Sequence, residues 1–143
     1  MIYVAASSAE IERAEKWMAA LRKDGIHVTS TWPETIRRVQ AERALALKDA
    51  CNPKVATVTD RRSWSMENVN AVLSADLFWL LVPPLEHPSQ GAYFEFSLAW
   101  RERKLTFASG GDQRFVFCSL AGALFEQDEY AFDAIRAIYR HRR

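Results

Sequence analysis

The segment Ala75-Asp76-Leu77-Phe78-Trp79-Leu80-Leu81-Val82 constrains the fold more than any other part of the chain. It is an apolar run of strand length that empties into the turn-rich Pro83-Pro84-Leu85-Glu86-His87-Pro88. Ser89 then stands at the head of a helical stretch whose second turn carries Glu95 among Tyr93, Phe94, Phe96 and Leu98. Strand, loop and helix in this order build an open α/β sheet, and such sheets bind ligands beyond the carboxyl ends of their strands. Ser89, Gly91 and Glu95 are therefore placed to meet a ligand. The alternatives are a solvated helix residue for Glu95 and a plain helix N-cap for Ser89.

The rest of the chain repeats the alternation. Ile2 to Ala6 reads as a short buried strand, and Ser7-Ser8-Ala9-Glu10 offers a capping box for a first helix. In that helix Ile11, Ala14, Trp17, Met18 and Leu21 share one face, so Trp17 and Met18 are core, and Gly25 ends it. Ile26 to Ser30 is β-branched enough for a second strand. Pro33 suits the first turn of a second helix, which is expected to run to about Ala50 before Asn52-Pro53 breaks it. Lys54 to Thr59 reads equally as extended chain or loop. Ser63 or Ser65 is expected to cap a helix carrying Met66, Val69, Val72 and Leu73. Beyond the Glu95 helix, Lys104 to Ala108 forms a further strand, Gly110-Gly111-Asp112 a turn, Arg114 to Cys118 the last strand, and Tyr130 to Ile138 an amphipathic helix. Trp79 and Trp100 read as core. The expected fold is one domain over residues 1–143, α/β, doubly wound and flavodoxin-like or Rossmann-like. Its mainly parallel sheet has about five strands, with helices on both faces.

A chain of 143 residues, 49% hydrophobic and 26% charged, can bury a proper core. Nineteen Lys and Arg face 18 Asp and Glu, a formal net charge of +1, which gives no general attraction to nucleic acid or to an anionic membrane. The basic tip Arg140-His141-Arg142-Arg143 reads as a helix end. No apolar run reaches the roughly 18 residues that span a bilayer, and no signal pattern precedes the first strand, so a cytoplasmic location is expected. Cys51 and Cys118 suggest neither a disulfide framework nor a zinc site, and His27, His87 and His141 are not metal-spaced. No metal or other cofactor is expected.

The opening Ile2-Tyr3-Val4-Ala5-Ala6-Ser7, the pair Ala75-Asp76, and Ser89-x-Gly91 with Glu95 together resemble the nucleoside 2-deoxyribosyltransferase family. Within it the chain is most similar to the 2'-deoxynucleoside 5'-monophosphate N-glycosidases. Their Ser-x-Gly-x-x-x-Glu-x-x-x-Ala pattern reads here Ser89-Gln90-Gly91-Ala92-Tyr93-Phe94-Glu95-Phe96-Ser97-Leu98-Ala99, where the transferases proper usually show Asp at the place of Ser89. The resemblance implies that Glu95 is a nucleophile attacking C1' of a sugar, through the oxocarbenium-like state that a carboxylate stabilises and traps. It implies that Ser89 binds a phosphate or sugar hydroxyl, that Gly91 lets backbone approach the ligand, and that Ser7 and Asp76 help shape the site. The implied partner is a small-molecule nucleoside or nucleotide, and the implied assembly a homodimer or larger homo-oligomer.

Two departures qualify the resemblance. The family usually carries an Asp eight residues before the Asp of the Ala-Asp pair, where it handles the proton of the leaving base, and here that place is Asn68. An amide is no general acid or base. Glu67 or Asp60 would have to take over, or the base leaves with hydrogen-bond help alone. In the first loop, Ala9 fills the place of a phosphate-gripping arginine, which removes a bidentate charge-assisted contact unless Arg13 turns inward. Trp32 and Trp64 are candidates to stack on a base, with core packing as the alternative, and Tyr93 for the pocket or a subunit contact. Two other readings stand beside the glycosidase: a non-catalytic nucleotide sensor of the same fold, and an enzyme that cleaves NAD at its nicotinamide ribosyl bond.

Overall fold

The computed structural model describes residues 1–42, 56–111, 113 and 116–141. Four strands, β1 (Ile2–Ala5), β2 (Leu77–Leu81), β3 (Leu105–Ser109) and β4 (Ala123–Phe125), form one sheet in the order β1-β2-β3-β4. Every pairing is parallel, with Ile2 opposite Leu77, Leu77 opposite Leu105, and Phe107 opposite Ala123. Among the described residues the helices are α1 (Ile11–Lys23), α2 (Trp32–Glu42), α3 (Val58–Ser74), α4 (Gln90–Arg101) and α5 (Asp128–Arg140). The α/β class and the parallel sheet are as the sequence predicts.

Both faces of the sheet are covered, which is why β1 and β2 are apolar throughout. Ile2, Val4, Leu77, Trp79 and Leu81 point toward Ala14, Trp17, Met18 and Leu21 of α1 and Ala131 and Ile135 of α5. Tyr3, Ala5, Phe78 and Leu80 point the other way, toward Val72 of α3 and Ala92, Phe96 and Ala99 of α4. The period-two alternation of a strand thus sorts one apolar run into two cores. Tyr3 and Phe78 stack at 5.5 Å within the second.

The expected second strand, Ile26 to Ser30, is reduced to a single parallel bridge between Ile2 and Val28. His27 and Thr29 make the two backbone bonds to Ile2, and then a side chain takes over. Ser30 Oγ accepts from the Val4 amide at 2.6 Å and donates to the Val4 carbonyl at 3.0 Å, occupying both positions a continuing strand would have used. The Val28 segment still lies outside β1, the side a second strand takes in a doubly wound sheet.

Other boundaries also move. Thr57, not Ser63 or Ser65, caps α3, in a reciprocal capping box with Asp60. Ser7 caps a short 3-10 turn, Ser8–Glu10, that precedes α1 without the expected capping box. The expected last strand is corrected as well: Val116–Leu120 is a 3-10 turn that buries Cys118 in the second core, and the edge strand is β4, with Arg114 and Phe115 outside the described residues. Trp100 is 51% exposed rather than core, because the inward stripe of α4 runs through Ala92, Phe96 and Ala99 and turns position 100 outward. The expected stretch of the second helix beyond Glu42, the break at Asn52-Pro53 and Cys51 fall outside the described residues.

Candidate active site

Glu95 lies on the inward stripe of α4. Ala92, Glu95, Phe96 and Ala99 are spaced as one apolar face, so the helix that packs its alanines on the sheet also carries a carboxyl inward. Glu95 is 9% exposed. Helix α3 runs beside it and presents Trp64, Asn68 and Val72 four residues apart, hence along one side. Val72 enters the core, and one turn earlier the Asn68 amide donates to Glu95 Oε1 at 3.0 Å.

Burial is the largest influence on Glu95 and raises its pKa from the ordinary carboxyl value to about 7, against the lowering effect of Tyr3 and Asn68. Tyr3, on β1, is the neighbour from below. Its pKa is raised well above the usual phenol by burial and by the Glu95 charge, yet its hydroxyl closes no hydrogen bond of good geometry. The contact is electrostatic, looser than the amide bond from Asn68.

These groups open into a cavity of about 240 Å³. Its floor is Glu95 and Asn68, and one rim is Ser89, Gly91 and Ala92 at the start of α4. Ala6 and Ser8 after β1 contribute the loop beyond the carboxyl end of that strand. Trp32, Thr35 and Ile36 of α2 and Trp64 and Glu67 of α3 complete the wall. Trp32 is tethered by its indole N–H to the Val4 carbonyl at 3.0 Å. Ser89 Oγ accepts from the Ala92 amide at 3.2 Å, so Ser89 is both the N-cap and a cavity residue. A methyl group added to Gly91 would meet only Ser89 Oγ, at 4.0 Å, so the space above this backbone is open.

Of the residues singled out from the sequence, Glu95, Asn68, Ser89, Gly91 and Trp32 converge, with Trp64 and Glu67. Ser7 does not: it is buried, its hydroxyl accepts from the Ala9 amide at 3.3 Å, and its neighbour Ser8 faces the cavity instead. Asp76 is a correction. It precedes β2 at the amino end of the sheet, whereas Glu95 lies toward the carboxyl end, and its carboxylate pairs with the Met1 ammonium. Arg13 does turn inward, but onto the Asp128 carboxylate at 2.7 and 2.8 Å, Glu10, and the Val82 and Ser109 carbonyls, which leaves it outside the cavity lining. Asp60 is engaged in the α3 cap, and Tyr93 is half-buried against the second core.

Tyr3, Thr35 and Ile36 were not legible as site residues. The only signal for Tyr3 was a polar tip within the otherwise apolar Ile2-Tyr3-Val4-Ala5. Among the described residues no cluster of His, Cys, Asp and Glu could hold a metal ion. Nor is any described helix long and apolar enough to cross a membrane.

No family model matches the chain, and no curated protein matches it in sequence. The fold has a relative. The solved structure of the Clostridium botulinum CMP N-glycosidase BcmB superposes with a TM-score of 0.54, covering 94% of this chain and 96% of that one at 13% identity. Nearly the whole of both chains shares one arrangement, so the likeness is one of fold. An N-glycosidase of this architecture therefore exists, and the architecture carries Glu95 into a cavity here.

Proposed function

We propose that this protein cleaves the N-glycosidic bond of a nucleoside or nucleotide with Glu95 as nucleophile, in the manner of the nucleoside 2-deoxyribosyltransferases and the related N-glycosidases. The observation that carries the reading is the buried Glu95 carboxyl, half-ionised near pH 7, facing a ligand-sized cavity and held by Asn68. Cleavage passes through an oxocarbenium-like state. A carboxylate below the sugar stabilises that charge, forms a bond to C1' as the bond to the base breaks, and is released when water or a second base attacks C1'.

Each remaining part has a task. Asn68 orients Glu95 and stabilises its anion by donating to Oε1. Ser89, whose lone pair serves the helix cap, keeps its hydroxyl proton to donate to a sugar oxygen or phosphate. Gly91 leaves room for the ligand at the helix N-terminus. Trp32 and Trp64 offer faces to a base. The cavity, about 240 Å³, is somewhat smaller than the roughly 300 Å³ at which ligand pockets commonly begin, and it adjoins a second cleft that shares Thr35 and Glu67. The fold shared with a CMP N-glycosidase supports the reaction class.

The same reading includes a cytoplasmic location and a homo-oligomer, the assembly supported by the exposed Met66 and Leu73 of α3 and Phe94 and Trp100 of α4. The deciding experiment is base release, followed by chromatography, from deoxynucleosides, ribonucleosides and their 5'-monophosphates. Release by the wild type that is lost in Glu95→Ala is the expected result. A folded protein that binds nucleotides and releases no base from any of them would favour the non-catalytic sensor, the reading consistent with an amide at position 68.

A further inference from the structure

Among the described lining residues of the cavity, two groups that an enzyme for ordinary nucleosides or nucleotides uses are absent. The first is a proton donor. A neutral base leaves as an anion unless a general acid protonates it, and Asn68, which stands beside Glu95, cannot do so. The other polar side chains of the described lining are the hydroxyls of Ser8, Thr35 and Ser89 and the indole N–H groups, none of them acids near neutral pH. Glu67 is exposed at the rim, where it accepts from Ser63 Oγ. The second is a cation: among the described lining residues there is no Lys, Arg or His. What the lining has instead is two carboxyl groups and two tryptophans, a set that suits a positive charge through Coulomb attraction and cation–π contact.

A substrate that brings its own positive charge fits both features of the described lining. Resting on the glycosidase reading, we infer that the substrate is a nucleoside whose base already carries a positive charge in the ring bonded to C1', a pyridinium nucleoside or an N7-alkylated purine nucleoside. Glu95 forms a bond from its carboxylate oxygen to C1' while the C1'–N bond breaks. The electron pair of that bond returns to the cationic ring, and the base leaves neutral with no proton required. Water then attacks C1' of the glycosyl ester, giving the free sugar, the Glu95 carboxylate and one proton to solvent. Asn68 acts here as a positioning residue on Glu95. Glu67, Trp32 and Trp64 hold the charged base, and the approaching cation favours the ionised form of the buried nucleophile.

The test measures base release from nicotinamide riboside and 7-methylguanosine. Beside them run their uncharged counterparts, reduced nicotinamide riboside and guanosine, with the 2'-deoxynucleosides and CMP. Each enzymatic rate is divided by its uncatalysed rate, since charged nucleosides are intrinsically more labile. The expected result is an acceleration at least tenfold larger for a charged member than for its uncharged counterpart, lost in Glu95→Ala. Release from only one of the two charged compounds assigns the pyridinium or the alkylated purine. Glu67→Gln should raise KM several-fold more for the charged members. Asn68→Asp, which supplies the missing acid, should raise guanosine turnover at least tenfold and leave the charged substrates without that gain. Glu95-dependent release from guanosine, a deoxynucleoside or CMP with equal or greater acceleration overturns this inference and leaves the glycosidase reading standing. No release from any compound by folded protein removes both.

Discussion

The Asn68 amide donates to Glu95 Oε1 across 3.0 Å, joining the neighbouring helices α3 and α4 at a carboxyl group buried in the cavity. The pair divides its work. Burial raises the Glu95 pKa to about 7, and the amide limits that rise by stabilising the anion. A carboxyl poised there exchanges its proton within the range where an enzyme commonly works.

The first expectation concerns the pH dependence of catalysis. The proposed nucleophilic role requires an ionised Glu95, so kcat/KM for base release should rise with pH along a single limb centred near 7. Asn68→Ala removes the hydrogen bond that favours the anion and should move the limb to higher pH. A base-release profile that is flat between pH 5 and 8 would show that Glu95 is not the group whose ionisation starts the reaction.

Stability should depend on the same proton in the opposite sense. The folded-state pKa of Glu95 is raised, so the native protein binds more protons than the unfolded chain between the ordinary carboxyl value and about 7. Stability is therefore lost as pH rises through that window, by about 3 kcal/mol in all. Glu95→Gln, neutral at every pH, should be more stable than wild type by about that amount at pH 8. The gain should shrink toward pH 4. Urea denaturation at the two pH values measures it, and a pH-independent difference would mean that Glu95 is not a strained buried acid.

Replacing the amide with an acid creates a pair. In Asn68→Asp two carboxyl groups face each other at close range in a buried site, and like charges there share one proton. The pH–rate profile should become bell-shaped, with two apparent pKa values that belong to the pair. A single limb unchanged from wild type would place the new carboxylate away from Glu95.

Arg13 should matter for folding rather than for chemistry. Its guanidinium ties α1 to Asp128 at the head of α5 and to the carbonyls of Val82, just beyond β2, and Ser109, the last residue of β3. Ser109 Oγ and Trp17 Nε1 complete the shell of Asp128, whose pKa is lowered chiefly by the Arg13 and Ser109 hydrogen bonds against the opposing effect of burial. Arg13→Met should cost about 3 kcal/mol, as expected when one partner of a largely buried pair is removed. Because the Asp128 pKa is lowered on folding, the stabilisation from this network is present above the ordinary aspartate value and is lost as pH falls through the lower folded-state value. Thermal melts of wild type and variant should therefore converge in strong acid, and a variant that melts with wild type at pH 7 would contradict the role.

The sequence by itself determined the fold class, the strand Leu77–Leu81 and the helix that follows, because strand and helix formation rest on local periodicity and on turn and cap residues. The spacing after that strand also marked Glu95, Ser89 and Gly91, since spacing along a helix or around a cap survives folding intact, whereas Asn68 was marked by the family resemblance and Trp32 by its place after the expected second strand. Where a side chain ends up was another matter. Asp76 stands at the start of its strand in the sequence, and only the packed chain shows its carboxylate seated on the Met1 ammonium rather than beside Glu95. Ile26 to Ser30 has the composition of a strand, yet the Ser30 hydroxyl replaced its backbone on Val4, a competition settled between residues 26 positions apart. Tyr3 became a neighbour of Glu95, and Arg13 a partner of Asp128, only when distant segments packed. Local pattern fixes what each segment can form, whereas burial, charge and proximity are properties of the packed chain, and the chemistry of the Glu95 cavity depends on those.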